Sequence, residues 1–460
     1  MRRREFLLTA AGSLELISSG GQRASTTQLP GATDGANPPG STGRRQAKVG
    51  LQAKDNHWPQ WLGPQRRGTV GDLSWLDLSQ LQVVWEQPIG LGYSSPVSDG
   101  QWVYLQDRVG DQERVQSFSL SSGLPGWSCP NATSFHSQFP MYTDGPIPTP
   151  ALQGDHLVTI GAEGRVQCLD CASGQSFWAV DGRFLGDEDP HVQSHASPPF
   201  GSGASPLIQR DRVLVSLPVQ GRRCSLFQLD LESGHVVWES VPQRCSYASP
   251  ALTRMHGTDV VVALHDHGLS LVAWDSGTLL MNYPFRSRVV DSENAVGPVV
   301  DSNRIFLSAY GLPGTLLEVD SHWQPRVCWE SLRSVDSQYT NVISSGASLI
   351  GFSARTHRLH KVNRSSGETV QKIKLPVSRG MMVTDHRRLL ILGDNAQLVM
   401  LSLEDPDDIH QIGTCDTSLK PKTFCQPCVV GKRILLRDQH RLICLAMKNL
   451  TTTGSDEISG

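Results

Sequence analysis

The chain has 460 residues, a length that by itself suggests about three globular units at the usual domain size. Gly (43) and Pro (28) are plentiful and charged residues make up only 18%, below the ~25% of an average domain. Turns should therefore abound, and long solvent-exposed helices should be scarce. The net charge of −3 offers no field to gather nucleic acid, and no run approaches the ~18 apolar residues that span a bilayer.

The chain opens with Arg2-Arg3-Arg4 followed by Phe6-Leu7-Leu8. This resembles an export signal of the twin-arginine type, although Arg2 stands where Ser or Thr is usual and Glu15 interrupts the apolar stretch. Residues 1–20 are predicted to be that signal. Residues 21–57, rich in Gly, Ser, Thr, Pro and Gln, are predicted to be a disordered linker, and residues 448–460 a flexible tail.

Internal repeats overturn the estimate of three domains. Ser-Pro, Thr-Pro or Gly-Pro before an apolar residue recurs at Pro96, Pro150, Pro206, Pro250 and Pro298, at spacings of 54, 56, 44 and 48 residues. Weaker counterparts lie at Val342-Ile343, Met382-Val383 and Pro427-Cys428. That period fits a four-stranded propeller blade.

Each repeat closes on one cadence. Asp170, Gly174 and Trp178 are spaced four and four, as are Asp230, Gly234 and Trp238, and Ser119, Gly123 and Trp127. Asn363, Gly367 and Gln371 keep the spacing with other side chains, whereas Asp320 and Trp329 are one residue further apart. The Gly is predicted to supply positive φ in the hairpin before the outer strand, and the Asp to accept from free N–H groups of the turn. The Trp is predicted to cover the seam between blades with its N–H bonded.

Eight such units are present, and the last ends after Leu442-Ile443-Cys444-Leu445 without an outer strand. The missing strand is predicted to be Val83-Val84-Trp85-Glu86, which would close the ring and remove its open edge. The fold expected over residues 58–447 is all-β: an eight-bladed β-propeller of four-stranded antiparallel blades, closed by an N-terminal strand.

The Asp/Ser-x3-Gly-x3-Trp cadence resembles the repeat of pyrroloquinoline-quinone-like (PQQ-like) propellers, a group that spans quinoprotein dehydrogenases and BamB-like outer-membrane assembly scaffolds. Trp58-Pro59-Gln60-Trp61-Leu62-Gly63-Pro64 and Gly92-Tyr93-Ser94-Ser95-Pro96 resemble the opening segment of bacterial, planctomycete-like members. A quinoprotein of this group would imply a disulfide between adjacent cysteines, a calcium ion on carboxylate and amide ligands, and an Asp as general base. No two of the ten cysteines here are adjacent.

The expected function is that of a non-catalytic, exported, periplasmic or envelope scaffold. It would bind a protein or glycan partner through one face of the ring, without cofactor, nucleic acid or transmembrane segment, and with a monomer as the simplest assembly. BamB-like scaffolds are lipid-anchored through an N-terminal cysteine, whereas the first cysteine here is Cys129. The alternative is a PQQ-dependent dehydrogenase of alcohols or sugars, carrying PQQ with calcium.

Outside the repeat, Cys425-Gln426-Pro427-Cys428 is the redox or disulfide candidate, because a Pro between cysteines favours a turn. Cys168 and Cys171 read as structural, roughly half a ring from that pair. His191 and His195, beside Asp187, Glu188 and Asp189 on the long segment 179–203, are weak metal candidates against the alternative of a solvated acidic loop. His265 and His267 share a strand face by the period of two, with a hairpin tip as the plainer reading.

Overall fold

A computed structural model describes residues 56–448 apart from 140, 183–184, 186–198, 219–224 and 290–293. It contains eight four-stranded antiparallel sheets. Blade 1 begins at the inner strand Val97–Ser98, and blades 2 to 7 begin at Ala151–Gln153, Leu207–Gln209, Ala251–Met255, Val299–Asp301, Ile343–Ser345 and Gly380–Thr384. In seven blades the four strands follow one another in the chain. Blade 8 takes Cys428–Val430, Arg433–Arg437 and Arg441–Met447 from the C-terminal end and its outer strand, Leu81–Pro88, from the N-terminal end. Trp85 pairs there with Cys444, so both ends of the propeller share one ladder.

This topology defines two faces. Outer strands end and the next inner strands begin on one face, called upper here, where second strands also end and third strands begin. The hairpins after the first and third strands lie on the lower face, because antiparallel neighbours reverse direction.

The closing cadence behaves locally as expected. Gly123, Gly174, Gly234, Gly277 and Gly367 have φ between 70° and 74°. Asp170 accepts from Ala172 N at 3.0 Å, Asp230 from Ser233 N at 3.0 Å, and Asn363 from Ser365 N at 2.9 Å. The Trp, however, makes its principal contacts in the next blade. The Trp85 ring lies on Gly123, Trp127 on Gly174, Trp178 on Gly234, Trp238 on Gly277 and Trp329 on Gly367, each so close that a Cβ on the Gly would approach ring atoms within 2.4–2.8 Å.

Each indole N–H then donates to the carbonyl of the residue three before that Gly: Leu120, Cys171, Leu231, Trp274 and Arg364, at 2.7–2.9 Å. Trp274 therefore belongs to a seam. A register shift precedes the Trp position in every outer strand. Such a bulge re-aims one side chain toward the neighbouring blade.

Where the Trp is missing, the next blade's Gly is missing too. Met281 faces a turn in which Trp323 holds the positive φ of 62°, and both join one apolar cluster. Gln371 bonds Ile409 N and O instead, at 3.0 and 2.9 Å. Gly413 packs against Leu78 of the short 3-10 helix Leu78–Gln80.

The Ser/Thr-Pro anchors have an equally physical basis. The residue before each Pro links to its counterpart in the next blade: Gln426 N donates to Ser95 Oγ, Ser95 N to Thr149 Oγ1, Thr149 N to Ser205 Oγ, and Ser205 N to Ser249 Oγ, at 2.9–3.2 Å. Asn341 continues the pattern into blade 7 through both amide atoms on Met382. N–H groups at the entries to these inner strands are thereby satisfied by side chains of the neighbouring blade, each bond worth about 1 kcal/mol net.

Candidate functional site

Two sites emerge from this frame, one at each end of the channel. At the lower end, residues 56–70 form no blade strand. They cross the channel as a plug, a placement that the opening resemblance did not convey. Trp58 exchanges backbone bonds with Ser98 in blade 1, Pro59 O accepts from Leu152 in blade 2, and Leu62 N donates to Gln426 Oε1 beside blade 8. Gly68 O and Val70 N bond Thr384 in blade 7. Arg66, held at a φ of 53°, sends its guanidinium up the channel to Pro206 O at 2.8 Å and Pro250 O at 3.1 Å in blades 3 and 4. Burial lowers its proton affinity, because the oxygens it meets are neutral carbonyls and no carboxylate.

At the upper end, six blade connections bring aromatic rings to the channel mouth. Tyr93 and Tyr339 both meet the Phe424 ring edge-on, at 5.1 Å between centroids. Tyr93 Oη donates to Tyr142 O at 2.9 Å, and Tyr142 contacts Phe200 at 5.8 Å. Phe200 also touches Phe139 at 5.4 Å and Tyr247 at 5.9 Å.

Two cations are laid on this arc. Arg379 stacks over Tyr339 at 5.2 Å and Lys422 over Tyr142 at 5.6 Å. Met141 and Tyr142 stand out from it, 66% and 42% exposed. Burial raises the pKa of Tyr93 and Tyr339, so these phenols remain protonated donors at neutral pH. The mouth thus offers rigid, amphipathic contact area.

Sequence reasoning missed this arc, although a signal was present. Tyr93, Tyr247, Tyr339, Arg379 and Phe424 all stand three residues before the anchor position, at Pro96, Pro250, Val342, Met382 and Pro427. Tyr142 and Phe200 come from longer connections and share no offset.

The residues singled out from sequence fall elsewhere. Trp85, Trp127, Trp178, Trp238 and Trp329, with Gly123, Gly174 and Gly234, build the seams, and Asp170 and Asp230 hold the lower hairpins. Cys425 and Cys428 are both free, buried thiols. Cys425 Sγ lies 3.3 Å from Tyr93 O, while Cys428 starts the inner strand of blade 8 within the core. Burial pushes Cys425 up to about 11 and raises Cys428 well above the ordinary thiol value, which opposes thiolate chemistry.

Cys168 and Cys171 are free and buried as well, both pushed up to about 12. They lie in blade 2, so a single blade separates them from blade 8, not half a ring; closure by the N-terminal strand makes the first and last repeats neighbours. His265 and His267 do sit at a hairpin tip but on different sides of it. His265 is buried against Ser216 Oγ at 3.1 Å, whereas His267 is exposed. His191 and His195 lie outside the described residues.

The described residues do not fit a calcium–quinone centre. No two cysteines of the chain are adjacent, the one carboxylate paired with the cations of the arc is Asp394, 3.7 Å from Arg379, and no group of three or more His, Cys, Asp or Glu able to hold a metal ion occurs among the described residues. Nor is any helix among them long and apolar enough to cross a membrane.

Residues 111–373 match a family model described as outer membrane protein assembly factor BamB. A sequence comparison with curated proteins gives no match. Among solved structures, BamB from Moraxella catarrhalis is similar, with a TM-score of 0.55 and 16% identity over 80% of this chain and 98% of its own. The computationally designed protein Ika8 has a TM-score of 0.53 and 8% identity, covering 78% of this chain and 100% of its own. The C-terminal WD40 domain of Sif2 has a TM-score of 0.51 and 10% identity, covering 80% and 98%. At such identities these neighbours attest the propeller fold alone, whereas the family match spans more than half of the sequence. The chain belongs to the PQQ-like, BamB-type family of repeat β-propellers.

Proposed function

We propose that this protein is a non-catalytic, exported propeller scaffold that holds a polypeptide partner of the cell envelope on its upper face, in the manner of an outer-membrane assembly factor. The aromatic arc carries this reading. Tyr and Arg dominate binding hot spots because they bury much area while losing few rotamers. Here Tyr142 and Met141 are exposed beside rings already fixed by Arg379 and Lys422. The membership in a BamB-type family supports a protein partner over a glycan, and the Arg-rich N-terminus supports export.

A photoreactive residue placed at Tyr142 in the native cell tests the reading, with one at Arg254 on the lower face as the control. A covalent adduct with an outer-membrane assembly protein, formed from position 142 and absent from position 254, is expected. Equal adducts from both positions, or none from position 142, would overturn it.

A further inference from the structure

The plug leaves a chamber on the lower face that the scaffold reading does not use. It measures about 640 Å³ and lies between residues 60–69 and the inner strands of blades 3 to 6. That volume is within the range of small-molecule sites, about 300–1,000 Å³. We propose that the chamber binds a polyhydroxylated anion of the sugar-phosphate class.

The charge balance is the first argument. Arg66, Arg67, Arg210, Arg254 and Arg364 line the chamber against two carboxylates, Asp259 and Asp301. Arg210 and Arg254 share Asp259, at 3.4 and 3.0 Å, and Arg364 holds Asp301 at 2.6 Å. Five guanidiniums against two carboxylates leave three positive charges uncompensated. Arg66 is the most constrained of them: among the described residues its guanidinium is bonded to the neutral oxygens of Pro206, Pro250 and Gln60, and burial disfavours its charge. An anion beside it relieves that penalty, and a planar guanidinium suits phosphate oxygens.

Size and lining supply the second argument. A bare phosphate would fill a small part of this volume. The rest of the wall interleaves Gln65, Gln209, Thr253 and Ser344 with short apolar strand residues such as Ala251 and Val299, a surface suited to hydroxyls and the faces of a sugar ring. Backbone strain points to the same place. Leu62 and Arg66, both non-glycine, are held at φ 61° and 53° within the segment that roofs the chamber, and such conformations persist where a site requires them.

Isothermal titration of the full chain in dilute salt tests the proposal, with glucose 6-phosphate, glucose and inorganic phosphate as probes. Glucose 6-phosphate should bind saturably, inorganic phosphate about tenfold more weakly because it lacks the hydroxyls that meet the Gln, Thr and Ser wall, about 1.4 kcal/mol, and glucose not at all because it carries no charge for the guanidiniums. Arg67→Gln removes an exposed charge without touching the plug's bonds and should weaken binding by a similar factor at unchanged melting temperature; Arg66→Gln should abolish it. Absence of binding by glucose 6-phosphate overturns the site. Equal affinity for glucose overturns the anionic class, equal affinity for phosphate the sugar moiety, and an unaffected Arg67→Gln variant the location.

Discussion

The seat of each Trp on the next blade's Gly predicts a specific energetic coupling, best measured at Trp178 and Gly234. Replacing Gly234 by Ala places a Cβ 2.6 Å from Trp178 Cδ2, so ring or turn must retreat by about 1 Å to reach van der Waals distance, at a cost of about 1–3 kcal/mol for overpacking. The backbone there has φ 72°, which adds about 1 kcal/mol for any L side chain. Trp178→Ala alone should cost about 3–5 kcal/mol, because it opens a cavity and strands the Leu231 carbonyl that the indole held at 2.7 Å.

In the double variant the clash is gone and only the backbone term of Gly234→Ala remains. The pair should therefore be less destabilising than the sum by about 1–3 kcal/mol, a coupling expected only of residues in contact. Gly257 is the control: it has φ 83° but nothing within 4 Å of an added Cβ, so Gly257→Ala should cost about 1 kcal/mol with or without Trp178. Urea midpoints followed by far-ultraviolet circular dichroism rank the variants. Additive costs at 178 and 234, or equal costs for Gly234→Ala and Gly257→Ala, would refute the reasoning.

Arg437 is fully buried and donates to Gly90 O, Ser94 O and Gln106 O at 2.8–3.2 Å, so Arg437→Met should lower stability by about 3 kcal/mol in the same assay by stranding three carbonyls where blade 8 meets blade 1. A chain beginning at Ile89 loses the outer strand Leu81–Pro88 and bares the Arg441–Met447 edge; it should self-associate in light scattering, since an unpaired edge templates another strand. His265 is buried, and desolvation lowers it to about 4 from an ordinary 6.5. Its neutral form is the folded form, so the stability it contributes is complete above pH 6.5 and is lost as the pH falls from 6.5 to 4, by about 3 kcal/mol in all. His360 is shifted in the same sense. Midpoints recorded at pH 7 and pH 4.5 should fall less for His265→Gln than for the parent chain; an equal fall would contradict the assignment.

The blade architecture was legible because it rests on chemistry confined to a few residues. A Gly that supplies positive φ, an Asp that caps the turn and a Trp at fixed offsets announce a hairpin wherever they occur, and repetition at about 45 residues turns hairpins into a ring. The closing strand was legible for the same reason: Val83-Val84-Trp85 is a fourth strand without the first three.

What tertiary structure decided is everything that runs around the ring. That Trp178 serves Gly234 instead of its own Gly174 depends on a bulge and on blade-to-blade packing, which local spacing does not encode. Arg66 reads as one arginine in a Gly-rich preamble until the plug carries it to carbonyls of Pro206 and Pro250, more than a hundred residues away. The aromatic arc converges from connections of unequal length, and the separation of His265 from His267 follows from the side of the hairpin each faces. Sequence thus determined the blades, whose interactions are local; the plug, the chamber and the mouth were decided by contacts between segments far apart in the chain.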